Sequence, residues 1–483
     1  MSSILGIVLA LVLLMALAYR GVSVLILAPL MALLAALFTP GAPLLASYTQ
    51  VFMPALGSFV IAFFPLFLLG AVFGKLMEAS GAARIIAQGI VTGLGEQRAV
   101  LAIVLACAVL TYGGVSLFVV AFAVYPIAAA LFRHADVPKR LIPGTIALGA
   151  FTFTMTALPG TPAIQNAIPM PYFGTTPFAA PGLGLIGGVV MLVLGTLWLT
   201  RRAARARDQG EGYGDDADAP ALDDPANASK ASATGRPANV PSAPPLAFSG
   251  HAFALAMAPV VLVIALNYAL ATWVFPSLNT AYLAEARFGA THINNLRGIW
   301  AVIGALSAAI VLLLVLQRRH LTTLVPTLEA GATSSVLPLL NTASQVGFGA
   351  VIASLAGFTL IRDAVLGIAP GNPLVSMSIA VNILAGITGS ASGGMSIALQ
   401  TLGDTWLAMG QAAGIAPDLL HRVTAIATGG LDALPHNGAV ITLLGICGLS
   451  HRKSYFDIFM VAVAFPLLAL VAVVTLGTVF GSF

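Results

Sequence analysis

The sequence predicts an all-α polytopic membrane protein made of two inverted-topology repeats. Each repeat is predicted to hold about five spanning helices, a split re-entrant hairpin and one discontinuous helix. Hydrophobic residues make up 59% of the 483 residues, 8% are charged, and the mean hydropathy is +0.99, whereas soluble domains are about 45–50% apolar and about 25% charged. Apolar runs near the length of a membrane span recur from end to end, and their order repeats once.

Charge and cysteine content narrow the function classes. The net charge of +4 comes largely from Arg and Lys in short connections, which fits the positive-inside rule better than nucleic-acid binding, since the latter needs a clustered basic face. Cys107 and Cys447 lie inside apolar runs and are interpreted as core residues, with no disulfide and no metal site. The sequence contains neither a Walker A loop nor a His-Glu-x-x-His motif. We therefore expect no enzyme, no cofactor and no nucleic-acid partner.

The first repeat is predicted over residues 1–200. Its apolar elements in order are 4–19, 22–38, 54–77, a short amphipathic surface helix at 82–93, a split pair at 98–111 and 115–132, a run at 141–170 broken at Pro159–Pro162, and a span at 183–199. The split pair is open to two interpretations, two full spans or one re-entrant hairpin. Residues 201–250 are predicted to be a disordered cytoplasmic linker, because from 208 onward they are rich in Ala, Asp, Pro, Gly and Ser without hydrophobic periodicity.

The second repeat is predicted over residues 251–483 and has the same order of elements. These are runs at 252–275, 299–316 and 333–355, a connection with Arg362 and Asp363, a split pair at 374–389 and 395–410 divided by 390–394, a loop at 417–422, a broken run at 423–449, and a span at 456–480. Pro65 and Pro338 are 273 positions apart, Gly114 and Gly394 are 280 apart, and Pro159 and Pro435 are 276 apart. These steady offsets indicate an internal duplication rather than chance similarity of apolar segments.

The charge distribution predicts that the repeats are inverted. Four basic clusters, at 133–140, 201–207, 318–320 and 451–453, are assigned to the cytoplasm by the positive-inside rule. If each split pair returns to the side it left, each half crosses the membrane an odd number of times. The second half then enters from the opposite side, and both termini are expected to be extracytoplasmic.

Interruptions inside the apolar runs predict where a ligand binds. Ala157-Leu158-Pro159-Gly160-Thr161-Pro162 and Asp432-Ala433-Leu434-Pro435-His436-Asn437-Gly438 each break one run, and a Gly-Gly-x-Ser element precedes each. Backbone freed from helical hydrogen bonding is tolerated in a bilayer only inside protein or along a cavity, and matched breaks in two halves indicate a transporter site. The predicted substrate-binding residues are Gly113, Gly114, Ser116, Gly160, Thr161, Ser390, Ser392, Gly393, Gly394, Ser396 and Asn437.

Each of these residue types also has a structural explanation. Glycine lets a backbone approach a ligand, but it also permits close helix packing. A hydroxyl or amide can donate to a substrate carboxylate, or it can bond to its own helix backbone; Asn166 is a weaker candidate of this kind. Ionisable groups within a membrane segment usually mark pathways or proton relays. Asp432 and His436 are therefore predicted to carry a coupling proton, the alternative being a structural hydrogen bond that locks the break.

Three stretches resemble the gluconate permease (GntP-type) family of the ion transporter superfamily. They are TYGGVSLFVVAFAVYPIAAALFRHADVPKRLIP, TFTMTALPGTPAIQNAIP and LDALPHNGAVITLLGICGLSHRKSY. The resemblance spans nearly the whole chain except 208–250. It implies a proton-coupled importer of a small hydroxy-monocarboxylate, gluconate or 3-hydroxybutyrate being typical, in a bacterial cytoplasmic (inner) membrane. It also implies a homodimer with scaffold and transport domains.

Two departures from that family leave alternatives open. The linker is not part of the family's core, and the polar residues at the breaks differ from the Ser-Asn-Thr tips of the dicarboxylate branch. Sodium coupling therefore stays open beside proton coupling. A channel is a further alternative, although it should show a polar stripe along several helices. An intramembrane enzyme or sensor would need a nucleophile–base arrangement or a folded soluble domain.

Overall fold

A computed structural model describes residues 2–20, 22–214, 249–317 and 323–483. In this part of the chain all regular structure is helical, without a strand, and seven helices have the length and apolarity to cross a bilayer. The predicted all-α polytopic membrane fold is confirmed. The helices are α1 Ser2–Tyr19, α2 Val24–Leu37, α3 Leu44–Ala79, α4 Ala82–Leu94, α5 Ala99–Tyr112, α6 Leu117–His134, α7 Ile142–Ala150, α8 Phe153–Thr156, α9 Ile164–Ala167, α10 Pro169–Phe173, α11 Pro181–Asp208, α12 Gly250–Ser277, α13 Ile293–Gln317, α14 Leu324–Ser354, α15 Phe358–Leu366, α16 Pro373–Thr388, α17 Ala391–Ala412, α18 Pro417–Ala427, α19 Gly438–Cys447 and α20 His451–Phe480.

The order of elements repeats as the sequence predicts. From α3 to α11 and again from α14 to α20, the chain forms a long helix, a short amphipathic helix, a hairpin, a broken helix and a second long helix. Helix α4 confirms the amphipathic segment predicted at 82–93. Its counterpart α15, expected only as a connection, is also an amphipathic helix. It has only nine residues, too few for a clear helical period in the sequence.

Two sequence-based boundaries are wrong. Residues 417–422, expected as a loop, open helix α18, because Pro417 stands at the first helical position, where its fixed φ and missing N–H favour a helix start. Helix α11, expected to end at 199, continues to Asp208, since Ala and Arg in this segment are strong helix formers. Residues 209–214 and 249–250 of the predicted linker are described, whereas 215–248 and the basic cluster at 318–320 lie outside the described residues.

Equivalent helices of the two halves run in opposite directions. In the α3–α14 pair, Gly331 lies against Val72 while Gly347 lies against Phe52. Helices α11 and α20 are likewise joined at one end by Arg202 and Asp457, with Nε 3.1 Å from Oδ1, and at the other end by the Gly182 N–H, which donates to Phe483 O at 2.9 Å. Inverted repeats require this arrangement, and the symmetry of the complete repeats stays a prediction.

The two split pairs form hairpins. The arms α5 and α16 have 14 and 16 residues, so they are about 21 and 24 Å long, less than the roughly 30 Å hydrocarbon core. Helices α5 and α6 pack against each other, and so do α16 and α17, so each pair is a hairpin. The second arms, α6 and α17, have 18 and 22 residues, about 27 and 33 Å, and α6 is long and apolar enough to cross a bilayer. That the hairpins are re-entrant stays a prediction.

The hairpins enter from opposite ends of the molecule. The first hairpin ends at His134, beside the loop whose Arg140 contacts Asp457 at the start of α20. The second hairpin begins beside Asn372, whose Nδ2 donates to Thr478 Oγ1 at 2.8 Å near the end of α20. One hairpin therefore approaches the middle of the protein from each side of the predicted membrane.

Candidate functional site

Each hairpin tip meets the break in the discontinuous helix of its own half. In the first half, the Tyr112 hydroxyl donates to Pro159 O at 2.5 Å, and Gly114 faces Pro162. In the second half, Asn437 Nδ2 donates to Gly389 O at 2.9 Å, and His436 Nε2 donates to Gly386 O at 3.0 Å. The structure thus brings the predicted interruptions together in two clusters, the first junction and the second junction.

The first junction lies near the middle of the spanning helices. Gly114 faces Leu306, which is central in α13, and Gly113 faces Val260 of α12. A Cβ at Gly113 would lie 2.5 Å from Val260 Cγ1, so this glycine permits close packing, the structural alternative considered for it.

The Gly-Gly pairs of the two hairpins are not equivalent in the structure. Gly113 and Gly114 form the first turn, and Gly114 has φ +93°. Gly393 and Gly394 instead lie in the first helical turn of α17, so the split predicted over 390–394 is misplaced. The second tip is formed by Gly389, at φ +60°, and by Ser390, whose Oγ accepts from the Gly393 N–H at 3.1 Å and starts the helix.

The predicted hydroxyl donors are in different environments. Ser116 occupies the cap position of α6 without a side-chain hydrogen bond to that helix. Ser392 Oγ lies 3.3 Å from Thr342 Oγ1 and 3.4 Å from Ser390 Oγ. Ser396 donates to Ser392 O at 2.7 Å, the back-bond to its own helix that was the alternative for this residue type.

The first break is held by neighbouring side chains. The Gly160 N–H donates to Pro177 O at 2.8 Å, and Gly160 O accepts from Asn267 Nδ2 of α12 at 3.0 Å. Thr161 is buried, and its Oγ1 accepts from the Ala163 N–H at 3.3 Å. The carbonyl groups that the break frees are therefore bonded inside the protein, as a bilayer requires.

A buried arginine that the sequence analysis did not select lies behind this break. Arg422 of α18 is 0% exposed, and its guanidinium donates to Ala179 O, Pro177 O, Thr156 O and Asn166 Oδ1 at 2.8–3.4 Å. All these partners are neutral oxygens. Because no carboxylate among the described residues hydrogen-bonds to it, Arg422 gives this part of the protein a positive potential.

Asn166 and His421 complete the contact between the halves. Asn166 Oδ1 accepts from His421 Nε2 at 3.1 Å as well as from Arg422, while its Nδ2 donates to Thr161 O at 3.1 Å and to Pro177 O at 2.9 Å. The Thr175 hydroxyl lies 2.6 Å from His421 Nδ1. These hydrogen bonds at both ring nitrogens indicate a structural role for His421. Its only sequence signal was a pair of polar residues, His421-Arg422, immediately before an apolar run.

The second break has a different chemistry. Asn437 caps α19 by accepting from the Ala439 and Val440 N–H groups, and its Nδ2 also donates to Asp432 O at 2.6 Å. Its polar atoms are thus engaged within the protein in this structure. Asp432 lies half-buried in a 3₁₀ turn, and His436 is also half-buried, facing the hairpin.

Carbonyl groups of the second break are bonded from α20. The Tyr455 hydroxyl donates to Ala433 O at 3.1 Å, and His451 Nε2 donates to Pro435 O at 2.9 Å. Among the described residues, no group of three or more His, Cys, Asp or Glu is arranged to hold a metal ion. Ionisable groups within a membrane segment often mark proton relays or ligand sites, and for Asp432 and His436 this role stays a prediction.

A second charged cluster joins the halves at the end where α11 stops. Asp457 of α20 is 1% exposed and accepts from Trp198 Nε1 at 3.0 Å, Arg202 Nε at 3.1 Å and Arg140 Nη1 at 3.4 Å. Arg140 also binds Glu211 through Nε at 2.6 Å and Nη2 at 2.8 Å. Hydrogen bonding and charge from Arg140 lower the pKa of Glu211, and the same bonds raise the pKa of Arg140.

Two solved transporter structures share this fold. The chain aligns with YdaH of Alcanivorax borkumensis at a TM-score of 0.54 and 16% identity, over 99% of this chain and 98% of that one. It aligns with MtrF of Neisseria gonorrhoeae, described among antimetabolite efflux pumps, at a TM-score of 0.51 and 13% identity, over 91% and 84% of the two chains. At these identities the likeness establishes the fold alone.

Relatives in sequence are transporters. No family model matches the chain. The uncharacterized transporter YxjC of Bacillus subtilis (strain 168) is 46% identical over 462 residues, which cover 94% of each protein. An uncharacterized transporter of Haemophilus influenzae is 47% identical over 73 residues, 15% of this chain and 17% of that protein. The resemblance predicted from sequence holds at the level of a membrane transporter. The chain belongs to the family of the B. subtilis transporter YxjC.

Proposed function

We propose that the protein is a secondary active transporter that imports a small hydroxy-monocarboxylate together with a proton by alternating access. The observation that carries this proposal is the pair of hairpin tips, entering from opposite ends, each seated on the break of a discontinuous helix. Matched interruptions of this kind characterise the binding sites of secondary transporters. Half-helix ends and irregular backbone there supply polar groups without bulk water.

Arg422 supports an organic anion as the substrate class. A buried guanidinium bonded only to neutral oxygens raises the local potential for a carboxylate. Its own N–H groups are engaged, so it acts at a distance. The candidate direct donors to the carboxylate are the hydroxyls of Ser116 at the first junction and of Ser392 in the first turn of α17 at the second. The resemblance to gluconate permeases supports gluconate or 3-hydroxybutyrate within this class.

Coupling is assigned to the second junction. Asp432 and His436 are the ionisable pair of the predicted site, and the first break has Thr156 and Gly160 in the matching places. A proton carried on only one of two related breaks gives a single coupling site. We further propose a homodimer in the bacterial cytoplasmic membrane, with residues 1–200 and 251–483 as inverted repeats and the linker on the cytoplasmic side.

Uptake into proteoliposomes tests the proposal. Purified full-length protein is reconstituted, and labelled gluconate and 3-hydroxybutyrate are offered with an imposed pH gradient, with a sodium gradient, or with neither. Accumulation with the pH gradient alone, abolished by a protonophore, is expected. Uptake driven only by sodium would replace the proton with sodium, rapid equilibration without accumulation would indicate a channel, and no uptake of any small carboxylate would refute the proposal.

A further inference from the structure

Helix α14 presents two amide oxygens that have no hydrogen-bond partner among the described residues, and one of them lies against the first turn of α17. Gln345 is 2% exposed, and its Oε1 has no hydrogen-bond partner. Asn341, one turn earlier, likewise has a buried Oδ1 without a partner, and residues four apart share one helix face. A buried amide oxygen is normally bonded, so two such atoms on one face need an explanation.

Gln345 is in direct contact with the second hairpin. A Cβ at Gly393 would collide with Gln345 Oε1, so the glycine that was predicted to admit a ligand instead admits this amide. Any larger side chain at position 393 would displace the amide from the hairpin. The contact places a hydrogen-bond acceptor from a spanning helix beside the second hairpin. Interrupted elements of this kind form binding sites in transporters.

The hydroxyl groups next to this amide are weakly bonded to one another. Thr342 Oγ1 and Ser392 Oγ are 3.3 Å apart, and Ser390 Oγ and Ser392 Oγ are 3.4 Å apart, whereas O–H···O bonds are usually about 2.5–3.0 Å. Thr342 Oγ1 also donates to Pro338 O at 3.0 Å, and Ser390 Oγ accepts from the Gly393 N–H at 3.1 Å. Ser392 is therefore the hydroxyl that can turn toward a ligand at little cost. Beside Gln345 these hydroxyls form a polar cluster in which the amide oxygen has no donor among the described residues.

We infer that Gln345 Oε1 accepts a hydrogen bond from a hydroxyl group of the transported acid. A carboxylate has no hydrogen to donate at neutral pH and is repelled by an amide oxygen, so this cluster fits the hydroxyl end of the substrate while serine hydroxyls hold its carboxylate. The site then selects hydroxylated carboxylates over their deoxy analogues. This inference rests on the proposed transport of organic anions and adds the group that determines specificity.

The test compares two labelled acids that differ only in the hydroxyl, 3-hydroxybutyrate and butyrate, in proteoliposomes of the full chain. The wild-type protein is expected to prefer 3-hydroxybutyrate by about tenfold or more in kcat/KM, as loss of one buried hydrogen bond implies. Gln345→Met keeps the side chain's length without its amide and is expected to bring the ratio close to one. Gln400→Met, the same change at an exposed position of α17, is expected to preserve it.

The uptake results distinguish a failure of the proposed Gln345 role from a failure of the proposed transport function. Equal uptake of the two acids by the wild type, or a full preference kept by Gln345→Met, overturns the inference and leaves transport intact. A loss of both acids in equal proportion in a folded Gln345→Met protein also overturns it, because the amide then does not read the hydroxyl. No uptake of any small carboxylate by the wild type refutes the proposed function itself. If Gln345→Met is not recovered, Gln345→Asn, which withdraws the amide by one methylene, provides the same comparison.

Discussion

Single residues bond the backbone that the broken helices leave open. Arg422 is the clearest case, because this one side chain from the second half donates hydrogen bonds to four neutral oxygens around the first break. Asn267 does the same for Gly160 O from α12. Burying a guanidinium is costly, and multiple well-placed hydrogen bonds offset that cost. The side chain therefore stabilises the break and supplies positive charge at the same position.

Replacing Arg422 should destabilise the protein. We expect Arg422→Met to lower the free energy of unfolding by about 2–5 kcal/mol, because the acceptors remain buried without donors. Arg422→Lys keeps the charge but not the planar fork of donors, so it should recover only part of the loss. Thermal unfolding in detergent measures both variants, with Arg362→Met at an exposed position as the control. A wild-type midpoint for Arg422→Met would contradict this role.

The ionisable residues of the second break should affect coupling more than folding. We expect Asp432→Asn and His436→Ala to reduce accumulation driven by a pH gradient about tenfold or more, with little change in membrane insertion. Initial uptake rates with and without the gradient, together with the amount of protein recovered from membranes, give the comparison. His134→Ala, at an exposed position, is the matched control. Normal accumulation in both variants would remove these residues from the mechanism.

At the scale of elements, glycine and proline determine where the helices stop, and tertiary packing determines which helix ends meet. The first tip turns at Gly114 and the second at Gly389, 275 positions later, close to the 276 positions between Pro159 and Pro435. Gly389 adopts a left-handed conformation that favours glycine. It also lies against the His436 ring, so the second tip depends on this glycine for both conformation and space.

Adding one methyl group at the second tip should disturb the junction. We expect Gly389→Ala to lower the free energy of unfolding by about 1–2 kcal/mol, because alanine is strained at a φ of +60°. The loss should be larger still because the added Cβ would lie 2.9 Å from the His436 ring. Gly438→Ala, in open space at the start of α19 on the facing break, should be neutral or slightly stabilising. Unfolding midpoints and uptake rates of the two variants test the contrast, and equal behaviour would argue against a rigid tip.

At the scale of the whole molecule, the halves are joined at two levels. Arg422 and His421 connect them beside the first break, and Asp457 connects them at the end of α11. The Asp457 cluster extends through Arg140 to Glu211, and the Tyr213 N–H donates to Asp136 Oδ1 at 3.1 Å. Residues 211–213, which belong to the predicted linker, are thus held against the loop between α6 and α7.

This docking should depend on pH. The pKa of Glu211 is lowered from 4.5 by Arg140, so its stabilising effect is complete above pH 4.5 and is lost as the pH falls through the lowered folded-state value. The Glu211→Gln variant has no carboxylate to pair with Arg140, so it lacks this stabilisation at every pH. The difference in unfolding midpoint between wild type and Glu211→Gln should therefore be largest near neutrality and shrink on acidification below 4.5. Glu285→Gln, in an exposed pair with Arg287, is the control, and a difference that grew in acid would contradict the assignment.

The sequence by itself determined the membrane class, the order of the helices and the positions of the interruptions. These properties are local. Apolar runs of spanning length, amphipathic periodicity and the effects of Pro and Gly act within a few turns. The same local signals misled at residues 417–422, where a turn-like start proved to be the first turns of α18, and at Gly393, which is helical.

Only the tertiary structure decided which side chains meet. Arg422 lies 256 positions from Asn166, and Gln345 lies 48 positions before Gly393, so no local period links them. The structure also decided that Asn437 is a cap and that the hairpins enter from opposite ends. Contacts between distant segments depend on how the antiparallel halves pack, and that packing is a property of the whole core rather than of any one stretch of sequence.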